Sequence, residues 1–246
     1  MRRLATALLG AGLLLPAAAM AECSRISHAG TPYTVCTATR DGPELRLWLN
    51  APDGTPWGDF ARLDAALRAE GLRLGFAMNG GMYHPDRRPV GHYAEDGATT
   101  GRLVLSEGPG NFGMLPNGVF CIGTQGFAVI ESRQFAEQAP DCHHATQSGP
   151  LLLIDGALHP RFIPGSSARL IRNGVGVSPD GTTAWLAISE RGVNFHDFAT
   201  LFRDLYGARD ALYLDGNVSR LHAPELGRSD RGRAMGPILG TVMPVQ

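Results

Sequence analysis

Gly174-Val175-Gly176-Val177 and Ala184-Trp185-Leu186-Ala187-Ile188 are apolar runs separated by Ser178-Pro179-Asp180-Gly181-Thr182-Thr183. Asp-Gly is a hairpin signal because both residues tolerate left-handed backbone, so the stretch reads as strand, turn, strand. The period then changes. Phe198, Leu201, Phe202 and Leu205 share one face of a helix over Phe195–Tyr206, with Asn194 as N-cap, Asp197 in the first turn and Gly207 as stop. Ala211–Leu214 returns to a strand. A hairpin, a helix and a further strand in succession place the chain among α+β folds.

The rest of the sequence extends this pattern. From Asp59 to Glu70, Phe60, Leu63 and Leu67 recur at helical spacing before Gly71, which predicts a second helix. Further strands are expected at Thr34–Thr39, Leu45–Leu49, Leu74–Met78, Gly118–Ile122, Phe127–Ile130, Leu151–Ile154 and Gly236–Val242, with Asp155-Gly156 as another turn. No repeat, low-complexity linker or charge block divides the chain. The expectation is a single α+β domain over residues 22–246, with mixed or antiparallel sheets and two main helices.

Composition agrees. Of 246 residues, 43% are hydrophobic and 18% charged, which supplies a core and excludes a disordered chain. A net charge of −1 gives no electrostatic reason for a nucleic-acid or anionic-membrane partner. All 22 basic residues are Arg, so Schiff-base, pyridoxal phosphate and phosphate-loop lysine chemistry is excluded. The 32 glycines and 17 prolines favour a β-rich fold with tight turns.

Residues 1–21 read as an export signal: a basic start at Arg2-Arg3, an apolar run from Leu4 to Ala19, and Ala19-Met20-Ala21 before cleavage at Glu22. The run contains Gly10, Gly12 and Pro16 and is too short to span a bilayer, so no stable membrane anchor is expected. Localisation is therefore periplasmic or secreted. In an oxidising compartment Cys23, Cys36, Cys121 and Cys142 form two disulfides. Three pairings can be drawn, and short closures favour Cys23–Cys36 with Cys121–Cys142. Zinc at Cys142-His143-His144 is the sharper alternative, but the close Cys spacing of structural zinc sites is missing.

Four glycine-bracketed polar stretches border the expected apolar strands: Asn79-Gly80-Gly81 after Leu74–Met78, Gln147-Ser148-Gly149 just before Leu151–Ile154, Arg172-Asn173-Gly174 leading into Gly174–Val177, and Asp215-Gly216 with Ser219 beyond it after Ala211–Leu214. Each alone reads as an ordinary turn or surface strand. Together, glycines that let a ligand approach bare amides, an Arg and a carboxylate suit an anionic, hydroxyl-rich ligand.

In this order, the chain resembles the phosphodiester glycosidase family. The resemblance rests on Asn79-Gly80-Gly81-Met82-Tyr83, Pro89-Val90-Gly91, Asn111-Phe112, Pro116-Asn117-Gly118-Val119-Phe120, Gln147-Ser148-Gly149-Pro150, Arg172-Asn173-Gly174-Val175-Gly176, Leu214-Asp215-Gly216 with Ser219, and Gly236-Pro237-Ile238. His92 and Asn217 depart from the pattern, where an apolar residue and a Gly are expected. The resemblance implies hydrolysis of a sugar-1-phosphodiester, releasing free sugar and leaving the phosphate on its partner. The implied substrate is a sugar-phosphate diester or an envelope glycoconjugate, and no cofactor is called for. Asp215 is the expected catalytic carboxylate, aiding the nucleophile or stabilising positive charge at the anomeric carbon. Arg172 and the Gly80-Gly81 backbone are the expected anion binders. Asn79, Gln147, Ser148, Gly149, Asn173 and Ser219 are the expected substrate-binding positions. A non-catalytic binder of phosphorylated glycans and a metal-dependent phosphodiesterase are the alternatives.

Other polar residues read more plainly. Asp96-Gly97, after Glu95, is a turn, and His84 and His92 are solvated loop histidines. His196 is an exposed helix residue. His143 and His144, adjacent on a strand, are expected to face opposite ways and so not to share an ion. No metal is assigned.

Overall fold

The computed structural model describes residues 22–245; the expected export signal lies outside the described residues. In chain order the strands are β1 Glu22–His28, β2 Thr31–Thr39, β3 Leu45–Trp48, β4 Leu72–Asn79, β5 Tyr93–Glu95, β6 Ala98–Thr100, β7 Gly118–Gly123, β8 Gly126–Glu131 and β9 His144–Ser148. They continue with β10 Leu151–Ile154, β11 Ala157–Leu158, β12 Asn173–Val177, β13 Thr183–Ser189, β14 Asp210–Asp215, β15 Leu221–Ala223, β16 Arg228–Ser229 and β17 Ile238–Pro244. The helices are α1 Phe60–Ala69, α2 Ser132–Gln138 and α3 Phe195–Tyr206.

The strands form a seven-stranded sheet ordered β1-β2-β13-β12-β14-β10-β11, and two five-stranded sheets ordered β16-β15-β4-β17-β3 and β6-β5-β9-β7-β8. Every pairing between described strands is antiparallel, which narrows the mixed-or-antiparallel expectation. The three inner faces meet in one core containing Leu47, Phe76, Phe120, Val129, Val175, Leu186, Leu214 and Leu239.

Each sheet carries one helix on its outer face. α3 lays Phe198, Leu201 and Phe202 against Val35, Leu152, Ala187 and Tyr213 of the large sheet. Each of those three side chains contributes about 1.5–3 kcal/mol on burial. α1 packs Phe60, Leu63 and Leu67 on Leu74 and Ala77, and α2 packs Phe135 on Val119 and Ala145. Capping follows the sequence: Asp59 accepts from Arg62 N and Asn194 from Asp197 N, while Gly207 closes α3 in left-handed conformation. α2 adds a third helix to the two expected. Its two turns are too short to show a period, and Glu131, ending β8, caps it by accepting from Arg133 N and Gln134 N.

Both favoured disulfides form, Cys23–Cys36 across the β1–β2 ladder and Cys121–Cys142 beside the start of β9. Among the described residues no helix is long and apolar enough to cross a membrane.

Candidate active site

Four of the expected positions meet where the large sheet abuts the sheet of β4. Asn79 is the last residue of β4, Asn173 the first of β12 and Asp215 the last of β14; Asn173 and Asp215 are register partners beside a bulge. Asn79 crosses between the sheets: its Nδ2 donates to Asp215 Oδ2 (3.1 Å) and Asn173 Oδ1 (3.4 Å). Its Oδ1 accepts from Arg220 N (3.0 Å), which fixes which end of the amide faces the carboxylate. Asn173 Nδ2 returns a bond to Asn79 O (2.8 Å). Ser219 Oγ lies 2.9 Å from Ile171 O, 3.0 Å from Asp215 O and 3.4 Å from Asn173 Oδ1, tying the following loop to both strands.

The other Asp215 oxygen, Oδ1, accepts from Gly216 N (2.6 Å) and Asn217 N (2.8 Å). Burial raises the carboxyl above its ordinary value, against the lowering effect of these amides and of Asn79. Gly216 is required by space, since a Cβ there would collide with the Tyr213 hydroxyl. The ordered backbone turn that orients the carboxylate therefore depends on the Asp-Gly pair.

Asp215 borders a cavity of ≈ 370 Å³ with Tyr83, Asn111, Leu170, Tyr213 and Asn217, and among the described residues is its only carboxylate. Burial pushes the Tyr213 hydroxyl up to about 12, so it stays protonated and able to donate. A second cavity of ≈ 570 Å³ adjoins the first, sharing Asn111 and Leu170, and is bordered by Arg172 and Phe195.

Arg172 is almost fully buried. Its guanidinium carbon stacks 3.7 Å from the Phe195 ring centre and lies 5.2 Å from that of Tyr213. Nε donates to Val193 O (2.8 Å) and Nη2 to Ala168 O (3.1 Å), whereas Nη1 has no partner. No carboxylate among the described residues forms an ion pair with it. An uncompensated buried cation beside a cavity is a place for an anion.

Other expected positions serve the scaffold. Gln147 spends both ends of its amide: Oε1 accepts from His92 N (3.1 Å) and Val104 N (2.9 Å), and Nε2 lies 2.7 Å from Val104 O and 2.8 Å from Ser132 Oγ. It pegs the segment from Gly91 to Val104 to β9, away from the cavity lining. Ser148 Oγ donates to Leu214 O (3.0 Å), joining the third sheet to the strand that carries Asp215. Gly149 packs against Asn117, where a Cβ would come within 2.6 Å of its side chain. The Gly80 amide donates to Pro237 O (2.7 Å) and so is already committed. Gly81 has φ +141°, and a Cβ there would sit 2.6 Å from Thr146 Oγ1.

Among the histidines, His84 is exposed, while His92 is half-buried against Phe135, its ring centre 5.1 Å away, and burial lowers its pKa. His196 is partly covered and borders the Arg172 cavity. Asp96-Gly97 is the turn of the β5–β6 hairpin, with φ 49° and 75°. Glu95 is held by Leu49 N (3.0 Å) and the Tyr93 hydroxyl (2.7 Å). His143 and His144 correct their reading: both Nε2 atoms approach Asp96 Oδ1, at 3.5 and 3.6 Å. His143 precedes the first residue of β9, so the strand pleat does not turn it away from its neighbour. Sequence reasoning passed over Tyr213, Phe195 and Leu170 as cleft residues because each also fits a core or loop pattern. The available signal for Tyr213 was Gly216, whose missing side chain makes room for the hydroxyl.

The phosphodiester glycosidase family model matches residues 73–224, a stretch that contains all of β4 but Leu72, together with β9, β12 and β14, and with them the Asp215 cluster. The chain belongs to the phosphodiester glycosidase family. It is 33% identical over 190 residues to the uncharacterized protein YigE of Escherichia coli (strain K12), covering 77% of this chain and 72% of that one. Its fold matches the catalytic domain of zebrafish N-acetylglucosamine-1-phosphodiester alpha-N-acetylglucosaminidase, auto-inhibited by its pro-peptide, with a TM-score of 0.60 at 15% identity over 89% of this chain and 81% of that one. A hypothetical protein from Synechocystis matches with a TM-score of 0.55 at 17% identity, over 91% of this chain and 61% of that one.

Proposed function

We propose that the protein is an exported hydrolase that cuts the glycosidic bond of a sugar-1-phosphodiester. The observation that carries this reading is the pairing of one buried, oriented carboxylate with one uncompensated guanidinium at two adjoining cavities. The sugar occupies the Asp215 cavity, with Asn217 in its lining, while Asn79, Asn173 and Ser219 support Asp215 and its loop from behind. The phosphate lies toward Arg172, with Asn111 and the Tyr213 hydroxyl as neutral donors.

In the reaction a water oxygen bonds to the anomeric carbon while the bond from that carbon to the bridging phosphate oxygen breaks. The electron pair leaves with the phosphate, which departs as a monoester on its partner. Asp215, ionised, stabilises positive charge on the sugar and takes up a water proton for release to solvent. Asn79 holds the carboxylate in place. Phosphate is a better leaving group than a sugar alkoxide, so a single carboxylate at this cavity is sufficient. Family membership and the two disulfides support an extracytoplasmic hydrolase acting on an envelope glycoconjugate.

The test is incubation of the purified protein with a panel of sugar-1-phosphodiesters in ¹⁸O-labelled water. Release of free sugar carrying the label is expected, and none from Asp215→Asn. Label in the phosphate would identify a phosphodiesterase, and binding without release a glycan-binding protein; either overturns the proposal.

A further inference from the structure

At the opposite end of β9 from Ser148 lies a cluster that the reading above does not use. His144 and Ser148 are four residue steps apart, about 13 Å along a strand. His144 is 1% exposed, and its Nε2 has no hydrogen-bond partner. The His143 ring meets it edge-on, with centres 4.8 Å apart. Both Nε2 atoms lie 3.5–3.6 Å from the same Asp96 oxygen, too far for hydrogen bonds. Tetrahedral zinc with bonds of 2.0–2.2 Å sets its ligand atoms about 3.4 Å apart, and the two separations from Asp96 to the imidazoles match that spacing. Glu44 brings a carboxylate within 4.8 Å of both imidazoles.

We propose that His143 Nε2, His144 Nε2 and the Asp96 carboxylate, joined by Glu44, bind a divalent late transition metal, with zinc as the best fit. Two imidazoles with carboxylates select such an ion over magnesium or calcium. Asp96 is held toward the pair by its left-handed turn with Gly97. Arg46, donating to Glu44 (2.7 Å), is the cation the ion must tolerate, so the two histidines and Asp96 carry most of the affinity. His144 Nδ1 accepts from Asp96 N at 3.3 Å, which places the ring proton on Nε2. Metal binding moves that proton to Nδ1 and gives up this long bond. Bound metal would pin the segment before β3, the β5–β6 turn and the start of β9 together, next to the Cys121–Cys142 bond.

The experiment is calorimetric titration of chelator-treated, dialysed protein with zinc chloride, paired with thermal melts. One zinc per chain, a higher melting temperature with zinc and no response to magnesium are expected. His143 is exposed, so His143→Ala is expected to fold, bind at least tenfold more weakly and lose the zinc-dependent gain in melting temperature. Asp96→Asn keeps a residue suited to the left-handed turn and is expected to weaken binding likewise, while Asp215→Asn binds zinc as the wild type does. Absence of stoichiometric zinc, or wild-type affinity in both cluster variants, overturns the proposal.

Discussion

Gln147 and Asp215 are both buried polar residues close to the end of a strand that runs into a glycine, and the protein uses them in opposite ways. Every hydrogen-bonding end of the Gln147 amide is met by protein, so it holds a loop in place and has nothing left for a ligand. Asp215 is also hydrogen-bonded, yet its carboxylate borders a cavity, and the nearby Arg172 has a nitrogen with no partner at all. Satisfied buried polar groups build structure, whereas those kept charged and incompletely matched are candidates for chemistry.

This contrast is open to direct attack. The largest effect is expected from Asp215→Asn, which removes charge at constant size. Sugar release should fall about 10³-fold or more with the fold retained by circular dichroism. Arg172→Met, which keeps the stem packed on Phe195, should lower kcat/KM about 10²-fold, as for loss of one preorganised charge-stabilising group. Gln147→Leu should do the reverse, costing about 2–4 kcal/mol in denaturant unfolding by orphaning its four partners, with kcat of the remaining folded protein nearly unchanged. Activity loss in Gln147→Leu without loss of stability would erase the distinction.

The smallest effect concerns pH. Burial raises the Asp215 carboxyl while the Asn79 amide favours its ionised form. Activity should therefore rise with pH through a limb lying above the ordinary carboxylate range. Asn79→Leu should move that limb to higher pH, read from kcat/KM profiles; a shift to lower pH would refute the role given to Asn79.

Much of the fold was legible in the sequence because its signals are local. Asn194 and Gly207 bracket α3, Asp59 caps α1, and Asp155-Gly156 and Asp180-Gly181 turn the expected hairpins. β9 was not legible. His144-Ala145-Thr146-Gln147-Ser148 alternates no apolar face, yet all five residues are buried, because their polar groups find partners only after three sheets have docked. The same cause separates the candidate site residues. Asn79, Asn173 and Asp215 could be singled out from glycine-bracketed strand ends, but only geometry tells them from Gln147, whose bonds to Ser132 and Val104 are long-range contacts. The phosphate-facing role expected of the Gly80 amide fails for a similar reason, since Pro237 claims it from far along the chain.

The bond from Asn79 to Asp215 spans 136 residues, and Ser148 reaches Leu214 across 66. No fragment of the polypeptide holds a working half of this site. Contacts this remote close slowly, after nearby pairings have formed, so recovery of hydrolysis during renaturation should trail the return of β-sheet ellipticity and serve as a clock for the final docking step.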